Sequence, residues 1–252
     1  SSRTSLWTIM SNNSNLKYTR QQLLNINARP IPRKLRKILF SLCIWNFNNK
    51  QKRKKLIKPK ICNNLPSILF SNVRSLKNKF DHVSSIVLYN DCDFNFFTES
   101  WLNSEISDNI LTIPRYKLVR LDRHLDKSHG GIIGYIRSDI NYKIVEFNNT
   151  SHKEILSLCI PSIKCLLIII YHPYWGTTEE HSLAIDLIYS IISQVSIKDY
   201  NHLFILGDFN DLKNHMQVIN DSFKLKNIVK FKTRGNATLD CLYTNVNNYK
   251  TI

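Results

Sequence analysis

Gly207-Asp208-Phe209-Asn210 follows directly on the apolar run Leu203-Phe204-Ile205-Leu206. A buried strand ending this way puts a carboxylate and a carboxamide, two residues apart, on one side of a sheet edge. That edge is where open α/β sheets usually hold a ligand. A carboxylate there can bind a hard divalent cation or orient a water. A neighbouring amide can hydrogen-bond a phosphate oxygen without adding repulsive charge. Asp and Asn also cap turns after strands, so the tetrapeptide by itself is equally a turn. The chemical reading gains weight because the pattern recurs at five strand ends. Asn72 follows Ile68-Leu69-Phe70, Glu99 follows the run Phe94–Phe97, and Tyr171 follows Ile168-Ile169-Ile170. Asp208 and Asn210 end the fourth run, and Asp240 sits in Ala237-Thr238-Leu239-Asp240-Cys241. Taken singly, Asn72 reads as a turn residue, Glu99 as an acid at a helix N-terminus, and Tyr171 as a half-buried strand aromatic.

Positioning such residues needs strands, and the chain is rich in them. Apolar runs predict strands over 67–72, 93–98, 116–121, 131–136, 142–147, 154–160, 165–171, 202–206 and 237–243. Helical spacing appears over 75–89, where Leu76, Phe80, Val83, Ile86 and Val87 share a face, and over 179–195, with a mostly helical stretch at 211–225. Helices and strands mix, but the central block is strand after strand. The expected fold class is therefore α/β: a four-layered sandwich of two mainly antiparallel sheets with outer helices, rather than a Rossmann sheet.

The charge is distributed unevenly. Residues 1–66 carry 15 Lys and Arg and no acid, leaving 20 basic and 19 acidic residues in 67–252. The expected organisation is a basic, largely disordered leader over 1–64 and a near-neutral globular domain over 65–252. Within the leader, Arg33, Lys34, Arg36 and Lys37 alternate with Leu35, Ile38, Leu39 and Phe40, as in an amphipathic helix. Lys52, Arg53, Lys54 and Lys55 form a basic linker. The first segment could contact nucleic acid or an anionic membrane, and the linker suits sequence-independent phosphate contact, and equally a solvated tether or localisation signal. The six cysteines are scattered without a Cys-x-x-Cys pair, so neither a zinc site nor a disulfide framework is expected, which favours a reducing compartment. No apolar run approaches the roughly 18–20 residues of a membrane span, and no secretion signal is legible, so no membrane partner is expected. The chain starts on Ser1 and stops at Ile252 without punctuation, as a fragment of a longer reading frame would.

The five strand-end segments, taken in order, resemble the endonuclease/exonuclease/phosphatase superfamily, and in particular the apurinic-type endonuclease domain of non-LTR retrotransposons. Further marks of that resemblance are Thr98-Glu99-Ser100-Trp101-Leu102, Arg120-Leu121-Asp122-Arg123, the block Gly130-Gly131-Ile132-Ile133-Gly134-Tyr135, and Ala237-Thr238-Leu239-Asp240 with Thr244-Asn245 beyond it. The match covers roughly residues 65–252, and the basic leader resembles the region before the endonuclease in the long second reading frame of such elements. The resemblance implies a divalent-metal-dependent phosphodiesterase that nicks DNA and leaves a 3′-hydroxyl. Glu99 would be the principal ligand of Mg²⁺ or Mn²⁺, with Asn72 supporting it. Asp208 would orient or deprotonate the attacking water, Asn210 and Tyr171 would hydrogen-bond the phosphate, and Asp240 would complete the acidic pocket. It also implies DNA, and the RNA of a parent element, as partners, a reverse transcriptase domain in the full reading frame, and a nuclear place of action. Two features depart from the family pattern. Its terminal Ser-Asp-His tripeptide is absent, with no histidine after Asp240, and its glycine run is looser. A catalytically dead DNA-binding relic is therefore the alternative, and a phosphatase of the same superfamily a further one.

Overall fold

The computed structural model describes residues 7–11, 14–18, 65–123, 129–145, 154–195, 200–247, 249 and 251. The chain divides into two compact units, Ser1–Lys60 and Ile61–Ile252. In the first, β1 (Trp7–Ser11) and β2 (Ser14–Tyr18) pair as an antiparallel hairpin. The amphipathic segment and all eight leader residues singled out for nucleic acid (Arg33, Lys34, Arg36, Lys37, Lys52, Arg53, Lys54, Lys55) lie outside the described residues.

The second unit is built on two sheets. One contains β3 (Ile68–Asn72), β4 (Phe94–Thr98), β5 (Tyr116–Leu121) and β6 (Ile132–Arg137), in the order β3-β4-β6-β5. The other contains β7 (Lys143–Ile144), β8 (Glu154–Ile160), β9 (Cys165–Tyr171), β10 (His202–Asp208), β11 (Lys226–Asn227) and β12 (Asp240–Thr244), in the order β11-β12-β10-β9-β8-β7. Each sheet has a single parallel pair, β3 with β4 and β9 with β10, and is otherwise antiparallel.

Strand alternation explains the layers. On β9, Leu166, Ile168 and Ile170 point to one core, whereas Leu167, Ile169 and Tyr171 point to another. Both faces are dry, so the strand reads as an unbroken apolar run instead of alternating with polar residues. The inner core lies between the sheets, where Phe94, Phe96, Ile132 and Ile136 meet Leu158, Leu167, Ile169, Phe204 and Leu206. Two helices pack on the outer face of the larger sheet and one on the smaller. The helices are α1 (Phe80–Asn90), α2 (Thr178–Gln194) and α3 (Gln217–Phe223). Ile188, Ile191 and Ile192 of α2 and Ile219 of α3 cover Ile168, Ile170, Leu203 and Ile205. Val83 and Val87 of α1 cover Phe97, Ile133 and Tyr135 on the smaller sheet. The result is the expected four-layered α/β sandwich. No helix among the described residues is long and apolar enough to cross a membrane.

Some boundaries differ from expectation for local reasons. The first helix begins at Phe80, not near residue 75, because Arg74 and Ser75 adopt positive φ (44° and 75°) and the chain first binds the next strand's exit. Ser75 N donates to Glu99 O and Leu76 N to Ser100 O, so these amides are spent on a loop, not on a helical turn. By contrast α2 starts where its caps say it should: Thr177 Oγ1 accepts from Glu180 N while the Glu180 carboxylate accepts from Thr177 N. The expected strand 142–147 shortens to Lys143–Ile144, with 146–150 outside the described residues, and the stretch after Asn210 is a 3₁₀ segment (Asn210–His215) before α3.

Gly207 is the tightest point between β9 and β10. A Cβ added there would sit 1.8 Å from Ile170 O, a backbone atom that cannot swing away. Gly207→Ala should therefore destabilise the fold by about 3 kcal/mol or more, read as a lowered midpoint in urea unfolding. An unchanged midpoint would contradict this packing.

Candidate active site

The strand ends converge. Asn72 closes β3, Glu99 follows β4, Tyr171 closes β9, Asp208 closes β10, and Asp240 opens β12. Because β9 and β10 run parallel with Asp208 opposite Tyr171, and β12 runs antiparallel with Asp240 opposite Asp208, three of these residues lie side by side across the larger sheet. Asn72 and Glu99 come from the parallel pair of the smaller sheet.

Asn72 joins the two sets. Its Nδ2 donates to Glu99 Oε1 at 2.7 Å and to Asp208 Oδ2 at 2.8 Å. Its Oδ1 accepts from the Arg74 amide at 3.1 Å, which fixes the carboxamide with its nitrogen toward the carboxylates. Asn72 thus serves Glu99 by holding it. Asp208 is fully buried, and its Oδ2 also accepts from Arg234 at 3.3 Å. Burial raises the Asp208 pKa, against the lowering effects of the Asn72 hydrogen bond and the Arg234 charge; Glu99 adds to the rise. Asp240 is pushed up to about 6, chiefly by burial and then by the Asp208 charge, with the Thr233 hydrogen bond and Arg234 opposing. Tyr171 is held protonated by burial, reinforced by Glu99, Glu154 and Asp208, so it enters the site as a hydroxyl donor.

Asn210 is placed differently from the other expected residues. It is buried at positive φ (45°), and its Nδ2 donates to His172 O at 2.7 Å. His172 N in turn donates to Asp208 O at 2.9 Å. The end of β9 is therefore laced to the segment after β10 by both backbone groups of His172. Behind it, His172, His181 and His215 stack with successive ring centroids 4.8 and 4.5 Å apart.

Sequence reasoning missed Glu154 and Arg234. Glu154 is opposite Tyr171 in the register and accepts from Gly131 N. A Cβ at Gly130 would clash with its carboxylate, and one at Gly131 with Ser100 Oγ at 2.5 Å, which gives the glycine block its physical reason. Arg234 stands on a short hairpin that Gly235 (φ 57°) turns, in the sequence Thr233-Arg234-Gly235-Asn236-Ala237. The Arg-Gly-Asn turn, one residue ahead of Thr238-Leu239-Asp240, was the available signal. A cavity of about 420 Å³ opens beside Asp240, walled by Ile68, Phe70, Leu206, Val229 and Phe231.

The donor set fits a hard divalent cation. Asp208 Oδ1 and Asp240 Oδ1 are buried without a hydrogen-bond partner among the described residues, and with the Glu99 carboxylate they offer only oxygen ligands. Among the described residues no group of three or more His, Cys, Asp or Glu side chains converges as a complete metal cage. Mg²⁺ needs none, since it keeps several waters and takes one or two carboxylates.

The Asp240 environment has a measurable consequence. Its folded pKa lies above its ordinary value of 3.8, so the native state holds the proton more tightly than the unfolded chain. The stability this contributes is complete below pH 3.8 and is lost as pH rises through about 6. Asp240→Asn should therefore raise the melting temperature in EDTA at pH 8, and the gain should vanish near pH 4. A gain of equal size at both pH values would show that Asp240 ionises freely.

No protein-family model and no curated protein matches this chain. Solved structures do. The AP endonuclease LMAP from Leishmania major superposes with a TM-score of 0.55 at 10% identity, over 71% of this chain and 78% of that one. The endonuclease domain of TRAS1, a telomere-specific non-LTR retrotransposon, gives 0.52 at 12% identity, over 71% and 84%. A 3′ phosphatase from Neisseria, bound to a product DNA hairpin, gives 0.50 at 14% identity, over 71% and 86%. With two sheets whose strand ends carry Asn72, Glu99, Tyr171, Asp208 and Asp240 to one place, this chain has the endonuclease/exonuclease/phosphatase fold.

Proposed function

We propose that this chain is a divalent-metal-dependent phosphodiesterase that nicks DNA, in the manner of the target-site endonuclease of a non-LTR retrotransposon. The observation that carries this reading is the bridge from one amide nitrogen, Asn72 Nδ2, to Glu99 and Asp208 across the two sheets. It holds two carboxylates from separate strands at a common point, an arrangement with a desolvation cost that packing alone does not require.

Each residue then has a task. Glu99, steadied by Asn72, would hold Mg²⁺ or Mn²⁺. When bound, the cation would neutralise charge on the phosphate and help activate water. Asp208 would take a proton from the attacking water, for which its burial-raised basicity suits it. The new bond joins that water oxygen to phosphorus, the P–O3′ bond breaks, and the departing oxygen is protonated to a 3′-hydroxyl. Tyr171 would donate a hydrogen bond to a phosphate oxygen as charge builds there. Asn210, whose Nδ2 is committed to His172 O, has a second N–H for the phosphate. Asp240 would complete the acidic wall, and the cavity beside it, lined by apolar residues together with Ser71, Lys232, Thr233 and Thr251, offers room for the nucleoside part of the substrate. The basic leader would add sequence-independent phosphate contacts through residues such as Arg33, Lys37 and Lys54. DNA as substrate makes the nucleus the place of action, and the RNA of a parent element and a linked reverse transcriptase are the further partners this reading carries.

The test is nicking of supercoiled plasmid. Mg²⁺ should yield open circles, EDTA should abolish them, and Asp208→Ala or Glu99→Ala should slow them by roughly 10²–10⁴-fold. Intact supercoils at high protein concentration in both Mg²⁺ and Mn²⁺ would leave a DNA-binding relic. Release of phosphate from 3′-phosphorylated ends without any nicking would move the chain to the phosphatases.

A further inference from the structure

Several described cations near the gathered carboxylates are committed elsewhere. Of the cations on the neighbouring loops, Lys213 Nζ is spent on Thr238 O and Lys232 Nζ on Asn236 Oδ1. Lys79 Nζ caps the carbonyls of Val73 and Arg74. Arg234 alone among the described residues forms an ion pair with a carboxylate of the site. Its charge also lowers the pKa of Asp208, of Asp240 and of the Tyr171 hydroxyl.

The hairpin that carries it is built to hold that position. Thr233 N and Arg234 N both donate to Ala237 O, and Ala237 N donates back to Arg234 O. Thr233 Oγ1 accepts from both Leu239 N and Asp240 N, pinning the hairpin's base to the start of β12. Its neighbour in the pair is wholly buried, yet the Arg234 side chain is 37% exposed. One guanidinium nitrogen therefore contacts Asp208 on a side chain that is partly open to solvent. The contact is a single 3.3 Å approach through one nitrogen, not a two-pronged bridge. Four of the five N–H donors remain for another ligand.

We infer that Arg234 is a phosphate-binding residue of this site, with one edge kept on Asp208 and the other free to grip a non-bridging oxygen of the DNA backbone. The inference rests on the phosphodiesterase reading for its substrate, but its geometry belongs to Arg234 alone. A planar guanidinium suits the task because it can serve a carboxylate and a phosphate at once, whereas an ammonium is a point charge. Sharing the cation also solves a problem that the site would otherwise have. A phosphodiester approaching Glu99, Asp208 and Asp240 meets like charge, and a donor already anchored among them offsets the repulsion without moving.

Two measurements test this, one independent of cutting. In EDTA, the full chain is treated with phenylglyoxal, an arginine-selective reagent, and modification of the peptide carrying Arg234 is followed by mass spectrometry. Inorganic phosphate, and separately a short DNA duplex, should slow modification of Arg234 several-fold. An unchanged rate at saturating duplex would overturn the inference, whether or not plasmid is nicked. In the second measurement, Arg234→Ala should lower the nicking rate at saturating plasmid by roughly 10²–10³-fold. Arg234→Lys should recover only part of it, and added guanidinium ion should rescue the Ala variant but not the Lys variant. An Ala variant that keeps its melting temperature and nicks at the parent rate would also overturn the inference. If the parent chain fails to nick while phosphate still protects Arg234, the nicking reading falls and the phosphate site stands.

Discussion

One carboxamide nitrogen holds this site together. Asn72 Nδ2 lies within 2.8 Å of carboxylate oxygens from both Glu99 and Asp208, and those residues belong to different sheets. Two negative charges approach closely only if something positive or strongly donating stands between them. The amide does so without bringing a charge of its own, and its oxygen is turned away onto the Arg74 backbone. Everything that sets the relative height of the two sheets therefore bears on this point, and the inner core sets it. Phe96 and Leu206, each two residues short of its strand's last residue, belong to that core, so a change in their volume would move Glu99 relative to Asp208.

Backbone strain gathers at the same place. Nine described residues other than glycine have positive φ, and five of them (Arg74, Ser75, Glu99, Trp101 and Asn210) directly follow the strand ends that carry the site. Such conformations cost free energy and persist only where surrounding contacts over-determine them. Here the contacts are visible. Ser75 N and Leu76 N bind the carbonyls after β4, Ser100 N and Trp101 N bind those of Gly131 and Gly130, and Asn210 Nδ2 binds His172 O. The loop after β3 is fastened to that after β4, that after β4 to Gly130 and Gly131, and the segment after β10 to the residue after β9, so the side chains they present are held before any ligand arrives.

The legible part of this arrangement was the part encoded locally. Continuous apolar runs such as Cys165–Ile170 betray strands buried on both faces, and a polar residue at the end of each run marks where the chain leaves the core. Those two signals yield the sandwich and bring Asn72, Glu99, Tyr171, Asp208 and Asp240 to one rim. What they miss depends on contacts between residues far apart in the chain. The apolar face of residues 76–87 predicts a helix from its own spacing, yet Ser75 and Leu76 give their amides to residues after β4. Glu154 looks like an ordinary polar residue opening a strand, and its meaning comes from the glycines 23 residues earlier, against which its carboxylate sits. Arg234 is an exposed basic residue in a turn until the hairpin folds over Asp208, 26 residues away. Asn210 has the right residue type in the right place, but its amide is oriented by His172 O, an acceptor that only the parallel pairing of β9 and β10 supplies.

Charge balance gives the arrangement its chemical sense. Asp208 stands between Glu99, with which it shares the Asn72 amide, and Asp240, its partner across β10 and β12, and among the described residues one guanidinium, Arg234, is ion-paired with it. The protein relieves the imbalance partly by proton uptake, since Asp240 is pushed up to about 6, and partly by the Asn72 amide. Neither neutralises the pocket at neutral pH. A divalent cation would offset the charge that three carboxylates leave over one guanidinium, whereas a phosphodiester alone would meet the carboxylates with nothing but Arg234 to receive it. Glu99, with Asp208 and Asp240 beside it, would under the proposed reading hold the cation, and Arg234 would receive the phosphate. Under the proposed reading, the two ligands should therefore bind with mutual reinforcement, because each removes the electrostatic cost that the other would otherwise meet.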